Sequence, residues 1–238
     1  MKNQIFIGLL AFFAAASTAV AVDRHVPSED YPTIQAAIEE CNDGDTVLVA
    51  DGTYTDDGNW DIDFLGKAIT VRSENGPESC IIDCEGPHRG FYFHNGEDAN
   101  SILDGFTITE GDAASGGGIY CYYSSPTITN CTISDNSAGL GGGIYCENSS
   151  PTIIDCNITG NSASEGGGIY CQNSNPIIIN CVISGNSAEH GDGGGIRCSD
   201  SSLRISDCII SNNSRGGGIH CEDSSLRISD CTISNNFG

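Results

Sequence analysis

Residues 141–161 read GGGIYCENSSPTIIDCNITGN, and the chain repeats this unit. GGGIYC opens units at 116–121, 141–146 and 166–171, GGGIRC at 193–198 and GGGIHC at 216–221. Ten residues after each unit's first cysteine comes a second, giving Cys121/Cys131, Cys146/Cys156, Cys171/Cys181, Cys198/Cys208 and Cys221/Cys231. Five residues further stands Asn136, Asn161, Asn186, Asn213 or Asn236. Successive units are offset by 25, 25, 27 and 23 residues while this inner spacing never changes. The length variation therefore falls in one loop, between the Asn and the next Gly triplet. A fixed period of this size is the mark of a repeat architecture and takes precedence over local propensity.

Side chains of a strand point to opposite faces with period two. In the quoted unit Ile144, Cys146, Ile153, Cys156 and Ile158 share one face, with Tyr145, Thr152, Ile154, Asn157 and Thr159 on the other. Clusters such as ENSSP, and the Asp or Asn before the second cysteine, supply turn chemistry that divides the unit into about three short strands. Such strands cannot bury an inner face alone, whereas stacking coil on coil gives each a parallel neighbour and a continuous core. The expectation is an all-β, right-handed parallel β-helix, the hand following from the preference of parallel crossovers. Leucine-rich repeats lack the room and the Leu spacing here, and an immunoglobulin-like sandwich needs antiparallel hairpin signals. Inward Asn at coil corners, stacked about 4.8 Å apart, can hydrogen-bond their own copies, so this ladder reads as structural.

Working outward, Thr33-Ile34-Gln35-Ala36-Ala37-Ile38-Glu39-Glu40-Cys41 puts Ile34, Ala37, Ile38 and Cys41 on one helical face, with Pro32 ahead and Gly44 behind. A helix over 33–42 would plug the open end of the solenoid, where unpaired strand edges otherwise recruit other chains. Residues 46–115 read as about three less regular coils and 116–238 as the five repeats, roughly eight coils or about 38 Å of rod. The last unit ends at Asn236-Phe237-Gly238 where another Gly turn would begin, so the array is expected to continue, or its uncapped C-terminal coil to associate end to end.

The start of the chain, MKNQIFIGLLAFFAAASTAVA, has one Lys, an apolar run and an A-x-A end, the pattern of a secretory signal peptide over 1–21 that leaves 22–238 as the mature domain. Its apolar run is short of the about 20 residues that cross a bilayer, and no transmembrane segment is expected in the mature chain. The 238 residues carry 32 acidic against 9 basic side chains, a net charge of −23. That field opposes phosphate backbones and anionic lipid, which argues against nucleic-acid and polybasic membrane partners.

The stretch YPTIQAAIEECNDGDTVLVADGTYT followed by the coils resembles the pectin-lyase-like right-handed β-helix superfamily. The recurring GGGI with ISDN, ITGN, ISGN or ISNN at the unit's end is similar to the polymorphic outer-membrane protein repeat, GGA[ILV] with FxxN, here with Gly for Ala and Ile for Phe. This resemblance implies an exported, surface-associated protein, often an adhesin carrying an autotransporter barrel; no stretch of this sequence reads as such a barrel. Enzymes of the superfamily cleave polysaccharides with calcium-binding acidic clusters beside an Arg base, or with clustered Asp, His and a basic clamp. The motifs NTD, GDD, GHG and RIK are absent, as is WIDH with RxPxxR, which Trp60-Asp61-Ile62-Asp63 echoes only faintly. A divergent active site would lie around Asp83, Glu85, His88, Arg89 and His94, against the plainer reading of a polar loop.

Tyr120, Tyr145, Tyr170, Arg197 and His220 follow GGGI and should line the outside of one sheet, with Tyr122 and Tyr123 nearby. Exposed rings in a row can stack on sugars, while stacked Tyr can equally serve only to bind neighbouring strands. The thirteen cysteines of an exported chain suggest oxidation. Ladder rungs at about 4.8 Å fall within the disulfide range, but pairing across the core, pairing of Cys80 with Cys84 or of either with Cys41, and free thiols used as small apolar filler all remain open. Zinc is not indicated, since the ligands do not cluster as CxxC, and the five His share no repeat position. No cofactor is expected. Calcium would be held by Asp56, Asp57, Asp61 and Asp63, a patch without the spacing of a calcium loop. The reading is a surface or extracellular binding module, adhesin-like, for a polysaccharide or cell-surface partner. The alternatives are a polysaccharide lyase or glycoside hydrolase with an unrecognised site, and a structural spacer of a longer surface protein.

Overall fold

The computed structural model describes residues 20–238, so all but the last two residues of the stretch read as a signal peptide lie outside the described residues. Every strand pairing between Asp23 and Ser234 is parallel, and the strands fall into three sheets of nine, eleven and six. Each regular coil passes through all of them, as in Ile144–Glu147 of the six-stranded sheet, Thr152–Ile154 of the nine-stranded sheet, then Asn157–Thr159 and Ser162–Glu165 of the eleven-stranded one. This is the expected parallel β-helix of about eight coils.

The coil has four strands where three were expected. The segment between the Asn and the Gly triplet, taken as a loop, is a strand at Ser137–Leu140, Ser162–Glu165 and Ser187–Asp192. Ala138, Ala163 and Ala188 point inward from it and are buried. Alternation there is carried by Ala and Ser, which the apolar pattern does not register. The length variation does sit here, absorbed by a register shift between Ala163 and Glu165 against Ser187–Asp192.

Identical inward residues stack on their own copies. Ile119, Ile144, Ile169, Ile196 and Ile219 form one column and Cys121, Cys146, Cys171, Cys198 and Cys221 another, strand paired to strand. A second cysteine column runs from Cys131 through Cys156, Cys181 and Cys208 to Cys231, each just ahead of a paired strand of the eleven-stranded sheet. The column through Ile128, Ile153 and Ile178 and the one through Ile133, Ile158, Ile183 and Ile210 are fully buried. Toward the N-terminal end the core widens to hold Phe64, Phe91, Phe93 and Phe106 in place of the repeat's Ile and Cys.

Polar ladders occupy two corners. Asn136 Nδ2 donates to Asn161 Oδ1 at 3.0 Å, as does the Asn136 backbone N–H, and Asn161 repeats both bonds to Asn186, and Asn186 to Asn213. Each amide also donates to a carbonyl one coil back, Asn161 Nδ2 to Ile133 O at 2.8 Å. Gly111 N–H closes the N-terminal end of the ladder and Asn236 Oδ1 the other. A second polar ladder, read from sequence only as turn chemistry, runs through Ser124, Ser149, Ser174, Ser201 and Ser224, each hydroxyl accepting the backbone N–H of the previous rung at 3.0–3.1 Å. It starts on Glu97, whose buried carboxylate accepts from Gly66 N–H, Asn95 N–H and the Ser124 hydroxyl.

The Gly triplet makes the bend into the six-stranded sheet, where successive coils approach backbone to backbone. Gly141 has φ +62°, and a Cβ on Gly142 would strike Ser162 O and Gly167 O.

The helix Ile34–Glu39 covers the N-terminal end, burying Ile34, Ala37 and Ile38. Thr33 caps it, its hydroxyl accepting Ala36 N–H at 3.2 Å. Lys67 Nζ donates to Ile38 O and Glu39 O at 2.7 Å, adding to the Cys41 N–H bond on Ile38 O at the helix C-terminus. Below it Arg24 pairs with Asp45 at 2.6 Å, and the backbone N–H of Asn42, with that of Val22, holds the Asp45 carboxyl below its ordinary range. At the opposite end Ile228, Ile233 and Phe237 are exposed.

Asn161→Ala strands the backbone N–H of Asn136 and takes a side-chain donor from the carbonyl of Ile133 in a dry corner. We expect a loss of about 2–4 kcal/mol and a fall in Tm of roughly 5–15 °C, read by thermal melting. An unchanged Tm would show that the ladder does not hold the coils.

Candidate functional site

The outer face of the six-stranded sheet gathers most of the chain's unusual chemistry. Strand Phe91–Phe93 turns both Phe inward and Tyr92 outward, and Ile62 bridges to Phe91, which places Asp61 and Asp63 on the same outer side. Register then stacks Tyr92, Tyr120, Tyr145, Tyr170, Arg197 and His220 in one column. Ring centroids along the column lie 5.1, 5.0 and 5.3 Å apart, and the Arg197 guanidinium continues it 5.4 Å from the Tyr170 ring.

This stacking corrects one expectation. Tyr145 and Tyr170 point outward but are only 3% and 5% exposed, so their ring faces are closed by neighbouring rings and are not open to a sugar. Strand spacing of about 4.8 Å leaves just the thickness of a ring between rungs. The hydroxyls are used as well: Tyr120 donates to Glu147 Oε2 and Tyr145 to Gln172 Oε1, both at 2.6 Å. Burial, with the Glu147 carboxylate adding to it, pushes both phenols far up and keeps them neutral donors. Arg197 is nearly buried too, with Glu165, Asp192 and Glu222 at 3.1, 2.8 and 3.3 Å. Its Nε and one Nη lie close to carboxylates without aligned hydrogen bonds, so those two contacts are electrostatic.

At the N-terminal end of the column the face opens. Tyr123 is 61% exposed, and Trp60, His88, Arg89, Tyr92, His94 and Tyr122 are half-buried. The Trp60 and His88 rings stack at 3.5 Å, and Tyr92 and His94 at 3.9 Å. Asp61 binds both neighbours, His88 Nδ1 to Oδ2 at 3.0 Å and Arg89 Nε to Oδ1 at 3.2 Å. Arg89 lies over the Tyr92 and Tyr120 rings at 4.9 and 5.2 Å, and one of its terminal nitrogens is buried without a hydrogen-bond partner. Asp63 approaches His94 Nε2 at 3.8 Å and accepts from the Asn95 amide at 3.0 Å.

Of the sequence candidates, the structure brings Trp60, Asp61, Asp63, His88, Arg89 and His94 onto this face, beside Tyr120. Asp83 and Glu85 go elsewhere, to a cleft of about 700 Å³ lined also by Glu110, Asp112 and Asp135. Asp56 and Asp57 do not join Asp61 and Asp63 in a ligand set, and among the described residues no group of three or more His, Cys, Asp or Glu is placed to hold a metal ion. The His88–Asp61 contact spans 27 residues of irregular coil, so no spacing rule could have found it.

The structure has all thirteen cysteines as thiols: neither adjacent rungs nor the two cysteines of one coil, such as Cys121 and Cys131, are bonded, and the Cys198 and Cys221 sulfurs approach at 2.8 Å. Eleven are buried, Cys231 is partly covered and Cys221 is exposed. In the second cysteine column each backbone N–H from Cys156 to Cys208 meets the next sulfur, at 3.4, 3.3 and 3.4 Å. Cys131 departs from this pattern. It holds the first rung by position, and its thiol donates to Thr129 O at 3.1 Å, but the N–H···S series begins only at Cys156. The coil before it carries Phe106 at the same place, so a larger ring, not a sulfur, lies on its other side and ends the column there. Burial pushes Cys80 and Cys84 up to about 12, so these thiols stay protonated and act as small apolar filler. Titration of native protein with a thiol reagent should label Cys221 fast and Cys231 slowly, and all thirteen after denaturation. Fewer than thirteen in the denatured, unreduced protein would contradict a free ladder.

The model of a right handed beta helix region matches residues 41–183 and 140–238. The chain belongs to the right-handed β-helix family. In structure this β-helix resembles the crystal structure of pectate lyase Pel9A, with a TM-score of 0.54 and 17% identity over 83% of this chain and 72% of that one. At that identity the likeness shows the fold. No curated protein matches the sequence.

Proposed function

We propose that this β-helix is an exported carbohydrate-binding module whose docking surface is the open end of the six-stranded face. The observation that carries the reading is the concentration of partly exposed aromatic and ionic groups there: the Trp60–His88 stack, Arg89 held by Asp61, and Tyr92, Tyr122 and Tyr123. Flat rings edged by hydroxyls and a guanidinium suit the alternating apolar faces and hydroxyls of a sugar chain. The pectate lyase likeness in fold agrees with a carbohydrate role, and the leader-like N-terminus with export to the cell surface or medium. Among the described residues no helix is long and apolar enough to cross a membrane.

A second reading, carbohydrate cleavage, is favoured by the 3.0 Å His88–Asp61 contact, since a carboxylate-oriented imidazole beside a guanidinium is a workable acid–base group.

Both readings meet one experiment, depletion of the protein onto a panel of neutral and acidic polysaccharides with release of new chain ends measured in the same tubes. The binding reading expects retention without new ends, weakened roughly 2- to 10-fold by Trp60→Ala or Tyr123→Ala, the range of one aromatic stack. New ends abolished by His88→Gln would replace it with the enzyme reading. Retention untouched by both aromatic substitutions would remove this face.

A further inference from the structure

Residues 201–208 and 224–231 carry the same octapeptide, SSLRISDC, where the preceding three units have SSPTITNC, SSPTIIDC and SNPIIINC. The two copies pair in register from Ser202↔Ser225 to Ser206↔Ser229, so Arg204 stands directly beside Arg227. Both are exposed on the outer face of the nine-stranded sheet, a different side of the solenoid from the aromatic face. In the coils before them the same column holds Thr127, Thr152 and Ile177. The fold therefore does not call for a cation at this place.

Like charges facing each other on neighbouring strands cost about 0.2–1 kcal/mol. In a chain of net charge −23 such a pair would be expected to find carboxylates. Arg24, Arg89 and Arg197 do so, each within 3.3 Å of one, and Lys67 takes helix carbonyls. Among the described residues no carboxylate lies within ion-pair distance of Arg204 or Arg227. Arg72, also without an ion pair, sits singly between Leu48 and Asp104. The two guanidiniums border a depression of about 400 Å³ whose other walls are Ile177, Ile205, Ile228, Ser206 and Ser229.

The geometry points to an oxyanion site formed by Arg204 and Arg227, for the sulfate ester of a sulfated glycan. Two guanidinium forks on adjacent paired strands offer more donors than the two oxygens of one carboxylate can accept, whereas a sulfate ester presents three free oxygens that both forks can share. Ile177 gives an apolar wall for a sugar's C–H face, and Ser206 and Ser229 give hydroxyls for its own. A dense phosphate polymer is opposed by the whole-chain charge, which a locally sulfated sugar meets at only one place.

The test is retention of the full chain on immobilised dextran sulfate of low sulfate content, a sparse polyanion, against uncharged dextran, polygalacturonate and polyphosphate. Wild type should be held by dextran sulfate above the other three, with affinity falling as salt rises. Arg204→Gln with Arg227→Gln together should lower that affinity at least tenfold while the melting temperature does not fall and any binding at the Trp60 face stays unchanged. Arg227→Lys should lose part of it. Retention on dextran sulfate that survives the double substitution, or none by wild type, would overturn the site. Equal or stronger Arg-dependent retention on polygalacturonate or polyphosphate would overturn its assignment to sulfate. Because the aromatic face lies on another sheet, loss of neutral-polymer binding on Trp60→Ala leaves this result untouched, and the reverse holds too.

Discussion

In-register stacking is the constraint on which everything else in this molecule rests. Each inward residue lies on its own copy one strand spacing away, so whatever chemistry one coil places inside must tolerate its own company. Ile and Cys meet that demand by dispersion and burial. Asn and Ser meet it because each offers both a donor and an acceptor, and a column of either satisfies itself. Glu97 and Gly111 end these two ladders where the regular coils begin, the one accepting from Ser124 and the other donating to Asn136. A charged column inside has no such solution, and no inner column of the repeats contains one.

The same rule governs the outside with a different outcome. Tyr120, Tyr145 and Tyr170 stack because rings fit the rung spacing, and that fit closes their faces to a ligand. Chemistry becomes available only where the repetition breaks. At the N-terminal end the break is in the coils themselves, which bring Trp60, Asp61 and His88 against Arg89 and Tyr92. At the C-terminal end it is in the residue type, where Arg204 and Arg227 take the place that Thr127, Thr152 and Ile177 hold in the preceding coils. Both places where we put binding are departures from the repeat on a scaffold that the repeat makes rigid.

This also explains what could be seen in the sequence. The invariant spacing of Gly triplet, Cys, Cys and Asn was enough for the coil, the core and the Asn ladder, because in a solenoid the sequence period is the spatial period. The same spacing could not show that Cys131 lacks the N–H···S bond of later rungs, since that depends on how each rung settles against its neighbours. The Ser ladder was hidden because Ser124 and its copies sit in SSP-type clusters that read equally well as turns. The strand Ser137–Leu140 and its copies were hidden because Ala and Ser carry too little apolar contrast. Tyr exposure was misjudged since alternation gives a side chain's direction but not how closely its neighbours cover it. The Asp61–His88–Arg89 cluster was out of reach because irregular coils carry no register from which to infer a contact.

The most direct test of the ladder account is hydrogen exchange on the intact chain, followed amide by amide. The backbone N–H groups of Asn136, Asn161, Asn186 and Asn213 each bond the side-chain oxygen of the next Asn at 3.0 Å, deep in a dry corner. They should be among the slowest to exchange, with protection falling from the middle coils toward the open edge at Ile219–Glu222 and Thr232–Ser234. Exchange of those Asn amides as fast as that of exposed residues whose amides have no backbone partner, such as Glu29 or Asp57, would contradict the claim that self-satisfied ladders hold this solenoid together.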